Sequence, residues 1–217
     1  MKHFIITSII GFLFLIPLHV SAKEIFFPNV PFTSQAPLGE WKDARLQNGC
    51  EEASVIMALT WVQNEKLTRS AAQKEIIALS DFQKKKYGSF VDTSPHDTEV
   101  RLIRGYYTYS ATQTKLIKTI GDLIHELARD AILLIQVDGR ILKNPYYTGQ
   151  GPEHHMLVVV GYDQATKEFI TNDPGTKRGE HFRYPEKRFF KAINDYPTGD
   201  HQKRKGIQKH MIVVSKK

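Results

Sequence analysis

Only one cysteine, Cys50, occurs in 217 residues. The chain can therefore form no internal disulfide and has no cysteine-pair zinc motif. No helix-turn-helix pattern, zinc-finger spacing or aromatic-basic RNA-binding motif is present, so no nucleic-acid partner is expected. There are no internal repeats and no low-complexity segments. Apart from Phe4–Ile16, no apolar run approaches the ~20 residues that a membrane-spanning helix needs. The exception follows Lys2, is broken by Pro17 and leads to the small-residue pattern Val20-Ser21-Ala22. This has the form of a secretory signal peptide cleaved after Ala22. No cysteine follows it to carry a lipid anchor.

The expected organisation is a signal peptide at residues 1–22 and a single domain at 23–217, secreted or periplasmic, with no transmembrane segment after cleavage. The domain is long enough to bury its own core. The formal charge is +7, one lysine of which belongs to the signal. Much of the excess lies late, at Lys203, Arg204, Lys205, Lys209, Lys216 and Lys217. A basic exterior suits anionic cell-wall polymers or membrane surfaces as partners, and it equally suits a merely solvated face.

A lone cysteine in an exported protein is an unusual choice, because oxidising compartments pair or damage exposed thiols. Most free cysteines are simply small buried hydrophobes. The setting of Cys50 argues otherwise. Asn48 is placed to cap a helix, Gly49 to bend the chain, and Cys50 falls in the first turn of the apolar run Ala53–Val62. The positive end of that helix favours a thiolate, provided Glu51 and Glu52 point away. The proline-punctuated loop Pro31–Gly39, leading to Trp41, is suited to wall a cleft beside it.

Further along, the pattern predicts a helix capped by Thr68, a polar break at Lys84–Gly88, and a helix from Pro95 to Arg104 capped by Ser94 and ended by Gly105. Tyr106–Ser110 reads as extended. A helix carries Leu123, Ile124, Leu127 and Ala128, and a buried strand spans Ala131–Val137. A loop follows at Asn144–Glu153, then a hairpin of His155–Tyr162 and Glu168–Asn172. Pro185 starts a short helix, and Met211–Val214 is a last strand. Helices first and an antiparallel sheet later is the α+β order, with N-terminal helices packed on a C-terminal sheet and the cleft between them.

A cysteine nucleophile requires a base within reach and a group to hold that base. His155 starts one hairpin strand and Asp173 follows the other, so the hairpin brings them side by side. His154 competes with His155 but faces the other way on a strand. Asp163 competes with Asp173 but reads as a solvent turn. Gln35, with the Cys50 N–H, can form an oxyanion hole; Gln47 competes with it and lies nearer in sequence. Zinc on Cys50, His154, His155 and Asp173 lacks closely spaced ligand pairs beyond the two histidines. Glu153 and His96 read as surface or capping residues.

Two blocks resemble the peptidase C39-like family. One is Val30–Pro37 with Trp41 and Asn48-Gly49-Cys50-Glu51-Glu52-Ala53-Ser54. The other is His155–Asp163 followed by Thr171-Asn172-Asp173-Pro174-Gly175. The resemblance implies a papain-like cysteine protease fold, with Cys50 as nucleophile, His155 as base, Asp173 as its orienter and Gln35 in the oxyanion hole. It also implies a peptide or protein substrate, with no metal or organic cofactor. A cell-wall peptide hydrolase using the same residues, or a non-catalytic binding protein of the same fold, are the alternatives. No transporter or ATP-binding segment accompanies the domain, and nothing from Arg178 onward matches the family.

Overall fold

A computed structural model describes residues 24–204 and 206–217. The signal-peptide expectation therefore lies outside the described residues, as does Lys205. Strand β1 (Ile25–Phe26) is followed by the proline-rich loop. A short helix α1 (Ala44–Gln47) comes next, capped by the Asp43 carboxylate on the Arg45 N–H. Helix α2 (Cys50–Gln63) is buried from Cys50 through Trp61 and closes at Asn64 in a left-handed conformation. Apolar residues enclose most of its length, as an apolar run buried on all sides requires.

Helix α3 (Arg69–Tyr87) starts at Thr68, whose side chain accepts from the Ala71 N–H. The lysines expected to break the chain instead form its last turn, where Lys84, Lys85 and Lys86 suit the negative end of the helix dipole, and Gly88 ends it. Helix α4 (Pro95–Asp97), capped by Ser94, runs on into a π-helical segment, Thr98–Arg104. Residues 106–110 pass from a turn into irregular chain rather than a strand. The rest of the chain is β2 (Thr112–Leu116), α5 (Ile120–Leu127), β3 (Ala131–Val137), α6 (Gly139–Leu142), β4 (His155–Asp163), β5 (Glu168–Asn172), β6 (Phe182–Pro185), α7 (Glu186–Ala192) and β7 (His210–Ser215).

The described residues form a seven-stranded sheet in the order β2-β7-β3-β4-β5-β6, with β1 paired to β4. Every pairing is antiparallel. Alternate residues divide between two cores. Met156, Val158, Val160, Ile132, Leu134 and Ile212 pack under α2 and α3. Leu157, Val159, Leu133, Ile135 and Val213 pack under α5, α6 and α7. Each fully buried Leu, Ile or Val contributes roughly 1.5–3 kcal/mol, so β3 and β4, buried on both sides, are a firm platform.

The fold is thus mixed helix and antiparallel sheet, as expected, with one correction. Helices cover both faces of the sheet, and two strands, β1 and β2, precede the stretch in which the sheet was expected to begin. The sheet is a middle layer because the α5 and α7 stripes also need an apolar surface to cover them. Among the described residues, no helix is long and apolar enough to cross a membrane.

Candidate active site

Three separate pieces of chain converge on one end of the sheet: the start of α2, the start of β4 and the turn after β5. The start of α2 is set by Gly49. A side chain there would come within 2.7 Å of the Arg45 carbonyl and 2.8 Å of Ile76, so only glycine lets α1, α2 and α3 approach this closely. Asn48 does not cap α2 as expected. Its side-chain amide donates to the Ala44 carbonyl at 2.9 Å and closes α1, because that short helix ends just before α2 begins. The N-cap of α2 is Gly49, without a side-chain bond.

His155 and Asp173 meet as expected. His155 Nε2–H donates to Asp173 Oδ1 at 2.8 Å, and both side chains are buried. That bond fixes the tautomer and leaves Nδ1 as the basic nitrogen. Asp173 collects further donors. The hydroxyls of Tyr147 and Tyr184 reach Oδ2 at 2.5 and 2.6 Å, and the Gly175 N–H reaches Oδ1 at 3.0 Å. The Asn144 amide adds a longer contact at 3.3 Å. Burial would raise this carboxyl, but the charge and hydrogen bond of His155, with the two tyrosines, outweigh it and hold Asp173 below the usual carboxylate range. Gly175 is required here too, since a Cβ would lie 2.9 Å from the His155 ring and 3.0 Å from that of Tyr147.

Cys50, His155 and Gln35 line one cleft of about 1140 Å³, together with Trp41, Gln47 and Asn48. Gln35 donates through its amide to the Gln47 carbonyl at 2.6 Å, and its backbone N–H bonds the Pro174 carbonyl at 2.9 Å. The loop carrying Gln35 is therefore tied both to the nucleophile side and to the Asp173 turn. The competitors fall as follows. Gln47 also lines the cleft but serves Gln35 through its backbone. Asp163 bonds Ala165 and Thr166 within its turn and pairs with Arg183 at 2.8 Å. His96 is exposed, and Glu153 pairs with Arg140.

The charge state expected at Cys50 is corrected. Glu51 does not point away. Cys50 Sγ donates to Glu51 Oε2 at 3.0 Å, while Oε1 accepts from the Thr93 N–H at 3.1 Å and the Tyr196 hydroxyl at 2.9 Å. Burial, then the neighbouring Glu51 carboxylate, push the Cys50 thiol well above its ordinary value, beyond what the first turn of a helix offsets. Burial and Asp92 in turn raise Glu51, and burial with Glu51 raises Glu52, whose Oε1 accepts from Gln83 at 2.6 Å. Burial and the Glu51 contact thus favour the thiol form of Cys50.

Several side chains that build this site carry no local signal in the sequence. Tyr147, Tyr184 and Asn144 reach Asp173 from a loop and from β6, and Tyr196 and Thr93 reach Glu51 from two connections. Three of the late lysines each have a contact of their own. Lys216 lies over Trp61, Lys217 over Tyr109, and Lys209 bonds the Phe190 carbonyl at 2.7 Å.

Comparison with known proteins agrees with the fold. The family described as "Peptidase_C39 like family" matches residues 27–202, so the match extends beyond Arg178, where the sequence resemblance was expected to end. A solved structure of a candidate C39-like peptidase from Bacillus anthracis superposes with a TM-score of 0.58 at 16% identity, covering 89% of this chain and 98% of that one. No curated protein matches the chain. The chain belongs to the peptidase C39-like family, whose description points to peptidase activity.

Proposed function

We propose that the protein is a papain-like cysteine peptidase that hydrolyses amide bonds in peptides, with Cys50 as nucleophile, His155 as base and Asp173 as the residue that orients it. The observation that carries this reading is the Asp173–His155 pair at the edge of a cleft that the only cysteine of the chain also lines. His155 commits Nε2–H to Asp173, so Nδ1 is the nitrogen that takes the Cys50 proton when a substrate carbonyl enters. The thiolate then attacks, and charge develops on the carbonyl oxygen. Cys50 is the first residue of α2, so its N–H has no partner within the helix. The Gln35 amide has two N–H groups, one of them held by Gln47, which fixes the other for the cleft. Together they supply an oxyanion hole. The protonated imidazole returns its proton to the leaving amine, and water, activated by the same ring, releases the acyl group.

The N-terminal sequence pattern supports action outside the cytoplasm. The reaction is tested by incubating the purified protein with a library of natural peptides and reading cleavage by mass spectrometry. Cys50→Ala and His155→Ala are expected to abolish cleavage, and Gln35→Ala to slow it on the order of 100-fold. Undiminished cleavage by Cys50→Ala removes this reading.

A further inference from the structure

Beside the cysteine, the cleft holds a second cluster that the proposed hydrolysis does not use. Asp92, His154 and His201 place a carboxylate oxygen and two ring nitrogens within 4.8 Å of one another. His154 Nδ1 lies 2.9 Å from Asp92 Oδ2, and His201 Nδ1 lies 3.1 Å from the same oxygen. The backbone N–H of His201 also reaches that oxygen, at 3.0 Å. We propose that Asp92, His154 and His201 form a binding site for one divalent transition-metal ion of the zinc class, at the wall of the cleft that Cys50 lines.

The chemistry of the donors fits such an ion, since two imidazoles and one carboxylate are a borderline-soft set. A tetrahedral zinc ion with bonds of about 2.0–2.1 Å holds its ligand atoms roughly 3.3 Å apart. The observed 2.9 and 3.1 Å separations need only a small outward adjustment to admit one.

The two inner ligands are also prepared in advance. The side chains of Asp92 and His154 are 7% and 6% exposed. The His154 ring is stacked on Tyr196 at 4.5 Å and 8°, which fixes its plane. Tyr196 in turn is anchored through its hydroxyl to Glu51, so the layer behind the ligands is itself held by hydrogen bonds. His201, 66% exposed, stands on the solvent side and is the ligand that can swing to admit the ion. Three protein ligands with one side towards the cleft leave a coordination position for water or a substrate group. Neither His155 nor Asp173 belongs to this cluster, so the site does not compete with the pair that binds the Cys50 proton.

The test is direct titration of the tag-free protein with Zn²⁺ by calorimetry, and with Co²⁺ followed by its visible absorption. Neither reading depends on peptidase activity, so the proposal stands or falls separately from the proposed function. The expected result is one ion per chain, bound at least about tenfold more weakly by His201→Ala and retained by Cys50→Ala. His201 is exposed, so its replacement does not threaten the fold. His154→Gln, checked for folding by circular dichroism, should weaken binding in the same way. No binding by the wild type overturns the proposal, as does unchanged affinity in His201→Ala. Loss in Cys50→Ala with retention in His201→Ala overturns it too, by placing the ion on the thiol.

Discussion

Asp173 and Glu51 are two fully buried carboxylates at the same cleft, and the protein sets them in opposite directions. Asp173 receives two tyrosine hydroxyls, a backbone N–H and the ring of His155, the one partner among these that can carry positive charge. Glu51 receives a hydroxyl, a backbone N–H and a thiol, with Asp92 as an additional anion nearby. Both carboxylates accept several hydrogen bonds, more of them at Asp173. The sign of the neighbouring charge differs, and in a buried setting that decides which form is kept. Asp173 is held ionised and steers a base, whereas Glu51 is raised by burial and Asp92, and its carboxylate adds to the burial that raises the thiol beside it.

The difference can be broken most severely at Asp173. Asp173→Ala strands the His155 ring and two buried hydroxyls, and should cost about 3–5 kcal/mol of stability in urea denaturation. Asp173→Asn should fold better and retain weak cleavage, because an amide still orients the ring but does not stabilise its positive form.

Tyr184→Phe removes one charge-assisted bond and should cost about 1.5–3 kcal/mol. An unchanged denaturation midpoint in that variant would show that the hydroxyl does not hold the carboxylate.

The pH dependence of stability should separate the two acids by sign. Asp173 has a lowered folded pKa, so its stabilising contribution is present above its unfolded value of about 3.9 and is lost as pH falls through the folded value. Glu51 has a raised folded pKa, so its contribution is full below about 4.3 and is lost as pH rises through the folded value. Relative to wild type, Asp173→Asn should therefore lose most at neutral pH and converge in acid. Glu51→Gln should gain most at neutral pH. Parallel shifts of both variants across roughly pH 3–8, scanned by thermal denaturation, would contradict the comparison.

How much of this was legible follows from where the partners lie. The His155–Asp173 pair could be read because both residues lie at the ends of one hairpin, and the short turn between its strands fixes their return. The tyrosines could not. Tyr147 arrives from an irregular loop, and Tyr184 from β6, whose sequence Phe-Arg-Tyr-Pro is too short for its alternation to betray a strand. β2 escaped for a similar reason, being polar and half-buried at the sheet edge. The direction of Glu51 is a long-range property as well. Its sequence position suited the first helical turn, but its side chain is drawn inward by Thr93 and Tyr196, 42 and 145 residues away.

The most direct measurement is the rate of iodoacetamide alkylation at Cys50 across pH, in wild type, His155→Ala and Glu51→Gln. In Glu51→Gln the new amide oxygen can accept the same Thr93 and Tyr196 bonds while its N–H donates to sulfur. That variant should therefore react at a pH lower than wild type by about one unit or more. The wild-type profile should rise only at or above the free-thiol value of about 8.5. A wild-type plateau extending below about pH 6, well under that free-thiol value, and collapsing in His155→Ala would show a resting thiolate–imidazolium pair. That result would contradict the conclusion that burial and Glu51 favour the thiol form of Cys50.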